Sequence, residues 1–179
     1  MMASEEHLSK RTLVLGCGNV LYGDDGFGPA VAISLAERYP IPDDAAVLNL
    51  GLGTRGFVFD VLLASRRPAR IVVVDAMERR AGRPGELFEV PLDELSREKV
   101  DDFSFHQGPT SNLLEELRDH CGVEIVIVSC QPERIPAEMA VGLSAPVRAA
   151  VDEAARLIYE RYLKATPPLP RVDGGEGPG

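Results

Sequence analysis

The heptapeptide RIVVVDA, residues 70–76, decides how this chain is read. Its centre is a continuous β-branched run that meets no polar residue before Asp75. A strand with one wet face alternates apolar and polar residues, whereas a strand buried on both faces has no such need. Arg70–Val74 is therefore predicted to be an interior strand of a sheet covered on both sides. Arg11–Gly16, Ala45–Leu50 and Val123–Ser129 read as further strands. Between them lie helical patterns at Gly28–Tyr39, Phe57–Ala64, Thr110–His120 and Ser144–Leu163, with a helical turn at Asp93–Lys99. Strands alternating with helices predict an α/β fold with a mostly parallel sheet. Glu86–Val90 alternates instead and follows a Gly-Arg-Pro-Gly turn, the pattern of a short edge strand.

The chain of 179 residues fits one domain. Its expected limits are a polar leader over 1–10, a single domain over 11–164 and a flexible Pro/Gly tail over 165–179. The opening MMASEEHLSK lacks the apolar core of a signal peptide. No apolar run reaches membrane-spanning length. The net charge of -9 argues against nucleic acid as a partner, because a phosphate backbone attracts a basic face. The three cysteines, Cys17, Cys121 and Cys130, form no Cys-x-x-Cys pair, which speaks against a zinc knuckle or a disulfide framework. A cytoplasmic protein acting on neither membrane nor nucleic acid is the expectation.

The loop after the first strand, GCGNVLYGDDGFGP at 16–29, resembles a nucleotide cradle only superficially. The dinucleotide fingerprint needs a third glycine where Leu21 stands, and an acid after the second strand where Leu50 and Gly51 stand. Two aspartates would also face the phosphates. The loop is better read as a device that presents Asp25. In a parallel sheet the carboxyl ends of the strands share one edge, where ligands bind. Asp25 follows the first strand and Asp75 ends the third, so the two are expected to converge there. His106, in a loop before a helix, is the third candidate. Two carboxylates and an imidazole suit nickel, zinc or another divalent first-row metal. Plainer readings stand beside this one: Asp24 and Asp25 as turn formers before Gly26, Asp75 as a cap, His106 as a satisfied loop histidine.

Together these stretches resemble the maturation endopeptidases of nickel-iron hydrogenases. The resemblance rests on Gly16, Gly18, Asn19, Val20, Leu21, Asp24, Asp25 and Gly28 in the first loop. It continues through Asp75-Ala76, the Pro84-Gly85 turn, His106 and the late Gly142-Leu143-Ser144. The segments HQGPTSNLLEEL and QPERIPAEMAVGLS look most like the branch serving coenzyme F-420-reducing hydrogenases. The resemblance implies a three-layer α/β/α sandwich, phosphorylase/hydrolase-like, on a mixed five-stranded sheet with its fourth strand antiparallel. It implies a nickel-dependent endopeptidase that removes the C-terminal extension of the hydrogenase large-subunit precursor, with nickel supplied by that precursor. Asp25, Asp75 and His106 would be the catalytic and metal-contacting residues, and Asn19, Asp24 and Thr54 the substrate contacts. One departure is expected to matter: family members often carry an acid before the Gly-Thr of the second loop, and Gly51 stands there. Two other functions remain open: a checkpoint module that recognises the nickel-loaded precursor without cutting it, and a small-molecule hydrolase of the same fold.

Overall fold

The computed structural model describes residues 4–97 and 109–164. Five strands form one sheet: β1 (Thr12–Cys17), β2 (Ala45–Gly51), β3 (Arg70–Ala76), β4 (Leu87–Glu89) and β5 (Glu124–Cys130). Their spatial order is β2-β1-β3-β5-β4. β1 pairs in parallel with β2 and β3, β3 pairs in parallel with β5, and β4 alone runs antiparallel, against β5. The expected mixed five-stranded sheet is thus present, and the segment predicted as an edge strand supplies its antiparallel member.

The apolar runs explain the layering. Successive side chains of a strand point to opposite faces. Leu13, Leu15, Ile71, Val73 and Ile127 face one way, onto α3 (Thr54–Leu63), α4 (Leu92–Arg97) and α5 (Pro109–Cys121). Val14, Val72, Val74, Val128 and Cys130 face the other way, onto α2 (Phe27–Arg38) and α6 (Ala145–Ile158). Each helix presents a matching stripe. Phe27, Val31 and Leu35 recur every four residues along α2, and all three are fully buried, each contributing about 1.5–3 kcal/mol of transfer free energy. The result is the predicted three-layer sandwich.

Three features differ from the local reading of the sequence. α3 begins at Thr54, three residues before the apolar run, because Gly53 accepts the first helical bond from Phe57 N–H at 3.1 Å. The closing helix widens at Tyr159–Leu163 into a π-helical turn. The polar leader contains one helical turn, α1 (Glu5–Leu8), capped by Ser4, and its Leu8 packs against the first core cluster. The tail over 165–179 lies outside the described residues. No described helix is long and apolar enough to cross a membrane.

The edge at β4 is blunted. Glu89 accepts hydrogen bonds from Arg161 and from the Tyr162 hydroxyl, and the Arg79 guanidinium lies 4.4 Å from the Phe88 ring centroid. Charged side chains on a short edge strand discourage pairing with another chain.

Candidate active site

The connections from β1 lead to β2 on one side, while β3 lies on the other. The carboxyl ends of β1 and β3 therefore flank a crevice at the switch point of the sheet. Two glycines let α2 close on it. A Cβ at Gly28 would stand 2.2 Å from Val74 O and 2.3 Å from Cys17 O, and one at Gly16 would stand 2.5 Å from Gly28 O. The helix thus meets the bare backbone of β1 and β3, which brings the loop between β1 and α2 down onto the strand ends.

Gly18 makes the next step possible. Its φ is +114°, and a Cβ there would stand 1.9 Å from Asp25 O and 3.3 Å from Asp75 Oδ1. The loop folds back so that Asn19 N–H donates to both Asp25 O, at 3.1 Å, and Asp25 Oδ2, at 2.8 Å. Asn19 Oδ1 in turn accepts Leu21 N–H at 3.0 Å. A 3-10 turn over Gly23–Gly26 then carries both aspartates, and both are buried.

The two adjacent aspartates have different surroundings. Asp24 is held by a distant segment: its carboxylate accepts Glu133 N–H at 2.9 Å, Arg134 N–H at 3.3 Å, Ser144 N–H at 2.7 Å and Ser144 Oγ–H at 2.9 Å. The geometry makes Asp24 a clamp on the 131–144 segment. Asp25 faces Asp75. Asp75 is buried, and its Oδ1 accepts the N–H of Ala76 at 2.9 Å. Burial, and then the charge of Asp25, push its carboxyl well above the usual carboxylate range, against the pull of that hydrogen bond.

The other expected residues fall as follows. Thr54 is buried, and its hydroxyl donates to Gly51 O at 3.1 Å, closing the turn into α3. Asn19 braces its own loop through Leu21. His106 lies outside the described residues. Gly51 sits at φ +53°, where the pairing skips from Asn49 opposite Gly16 to Gly51 opposite Cys17. This bulge with left-handed backbone suits glycine and strains any acid placed there. Cys17 is buried and feels the charge of Asp75. Burial first, and then the Asp75 charge, raise its thiol far from ionisation. Cys130 is also pushed up, to about 12, chiefly by burial.

Two buried carboxylates that repel each other form a pair that a divalent cation relieves, and oxygen donors fit such an ion. Among the described residues no group of three or more His, Cys, Asp or Glu is placed to hold a metal. The described part of the site therefore offers two ligands. One residue escaped the sequence reading: Ser129, the lone hydroxyl among the apolar residues of β5, pairs with Asp75 across the sheet. The signal was a polar side chain interrupting a buried strand one position before its end.

Comparison with known proteins gives the family to which this fold belongs. A family model described as hydrogenase maturation protease matches residues 29–161. The delta subunit of coenzyme F-420 hydrogenase from Methanothermobacter thermautotrophicus is 34% identical over 152 residues, covering 83% of this chain and 92% of that protein. The crystal structure of a nickel-iron hydrogenase maturation protease from Thermococcus kodakarensis superposes with a TM-score of 0.69 at 30% identity, covering 84% of this chain and 91% of the other. A maturating endopeptidase of Escherichia coli superposes equally well, with a TM-score of 0.69 at 26% identity over 84% of this chain and 90% of that one. The chain belongs to the hydrogenase maturation protease family and is a peptide hydrolase of that family.

Proposed function

We propose that this protein is a nickel-dependent endopeptidase that removes the C-terminal extension from a hydrogenase large-subunit precursor, in the branch that serves coenzyme F-420-reducing hydrogenases. The observation that carries this reading is the convergence of Asp25 and Asp75, both buried, at the switch-point edge of the sheet. The similarity to an F-420 hydrogenase subunit supports the branch.

In this reading Asp25 and Asp75 hold the cation together with His106, whether it arrives with the precursor or from solution. A bound divalent cation supplies Lewis acidity toward a peptide carbonyl or a water. Asn19 keeps Asp25 aimed through its backbone N–H, and burial of the pair keeps competing water away. The surroundings suit a polypeptide rather than a small molecule: Val20, Leu21 and Leu52 stand exposed beside the site, and Met139 and Val141 stand exposed on the segment clamped by Asp24. Exposed apolar side chains around a polar centre are typical of a surface that meets another protein. This surface would meet the precursor in the cytoplasm.

The test is the intact mass of a cognate precursor, nickel-loaded or nickel-free, after mixing with the protein. Loss of a C-terminal peptide from the loaded form alone, abolished by His106→Ala, is the expected result. Binding without any mass change would overturn the protease reading in favour of a checkpoint module.

A further inference from the structure

Ser129 is fully buried, and its hydroxyl has no hydrogen-bond partner among the described residues. Leaving such a group unmade costs about 1–3 kcal/mol, so its presence in a strand otherwise built from Ile and Val calls for a reason. Its position supplies one. β3 and β5 pair in parallel with Asp75 opposite Ser129 and Val73 opposite Ile127. Val73 and Ile127 belong to the core between the sheet and α3–α5, and the two-residue period of a strand puts Asp75 and Ser129 on that same face. Neighbouring strands lie about 4.8 Å apart, so one rotation of χ1 brings the hydroxyl within reach of the carboxylate. Alanine would fill the space equally well and leave no polar atom unmade.

We infer that Ser129 is a positioning residue for Asp75, whose hydroxyl donates a hydrogen bond to the Asp75 carboxylate when that carboxylate takes a divalent cation. The inference rests on the proposed role of Asp25 and Asp75 as cation ligands. A ligating carboxylate commonly accepts a hydrogen bond from a neighbour on the oxygen turned away from the ion, and this fixes its orientation. In the structure the hydroxyl has no partner among the described residues, while Asp75 Oδ1 accepts the N–H of Ala76. The strand register delivers the donor from the side opposite Gly18, where the loop already crowds Asp75.

The experiment is titration of the chelator-treated full-length protein with Ni²⁺ and with Zn²⁺ by calorimetry, alongside its melting temperature without metal. Ser129→Ala should weaken cation affinity about tenfold while leaving the melting temperature equal or higher, since an unmade buried polar group has been removed. Ser129→Thr, which keeps the hydroxyl, should recover affinity toward wild type, and Ser129→Cys, a poor donor of similar size, should behave like alanine. Wild-type affinity in Ser129→Ala would overturn the inference and leave the cation site standing. A wild-type protein that takes up neither ion would overturn both the cation site of the free protein and this inference.

Discussion

Asp24 and Ser144 are joined by two hydrogen bonds, from Ser144 N–H at 2.7 Å and from its hydroxyl at 2.9 Å, across 120 positions of sequence. The contact ties the first loop to the segment that leads into α6. Ser144 stands at the N-cap position of α6 yet does not cap it, because its side chain serves Asp24 instead. Two sequence motifs at opposite ends of the chain are thus one structural unit.

Asp24→Asn should test that unit. An amide turns a donor toward backbone N–H groups that need an acceptor. The expected loss is roughly 2–3 kcal/mol in urea unfolding, the range for breaking charge-assisted bonds in a buried setting. Hydrogen exchange at Glu133, Arg134 and Ser144 should accelerate together. Unchanged exchange at these three amides would remove the clamp role.

Asp75→Asn should separate stability from activity. The folded protein raises the Asp75 carboxyl above its ordinary value of 3.8, through burial and the Asp25 charge. The folded state therefore binds this proton more tightly than the unfolded chain does. Its contribution to stability is complete below the ordinary value and is lost as pH rises through the raised one. Without metal, the asparagine variant should melt higher than wild type at neutral pH, with the difference closing as pH falls toward 3.8. Cleavage should be abolished. A lower melting temperature at neutral pH would contradict the electrostatic account.

Gly28→Ala and Gly56→Ala should diverge. A methyl at Gly28 meets three backbone atoms within 2.6 Å, so α2 must lift from β1 and β3. A loss of about 3 kcal/mol, the upper end of overpacking, or failure to fold is expected. At Gly56, within α3, a Cβ meets nothing within 4 Å, and alanine should add roughly 0.5–1 kcal/mol by its better helix propensity. Differential scanning calorimetry of the two proteins reads both signs.

Thiol chemistry should leave the activity alone. Cys17 and Cys130 are buried with raised thiols, while Cys121 is half-buried. Iodoacetamide at neutral pH should label Cys121 before the others, as mass spectrometry of peptides will show. Cys17→Ala should keep cleavage and lose about 1 kcal/mol of packing. An inactive Cys17→Ala that still folds would point to a thiol nucleophile.

Much of this was legible along the chain. Continuous apolar runs such as Ile71–Val74 announce strands buried on both faces, because no wet face demands alternation. Glu86–Val90 announced an edge by alternating, and Leu87–Glu89 is the antiparallel edge strand. Asp25 and Asp75 were readable as a convergent pair, since both follow carboxyl ends of parallel strands. The start of α3 was missed, because its first turn is set by Gly53 and the Thr54–Gly51 contact, without an apolar signal.

The sequence by itself determined the layers, the class of sheet and the loop that bears two acids, for all of these follow from local periodicity and from glycine and proline. Only the tertiary structure decided that Asp24, next to the converging Asp25, is spent on Glu133, Arg134 and Ser144. It also decided that Thr54 turns inward, and that the one hydroxyl of β5 stands beside the carboxylate of β3. The reason is physical. Strand order and register are set by packing between segments dozens of residues apart, and no local pattern reports which distant partner a given side chain will meet.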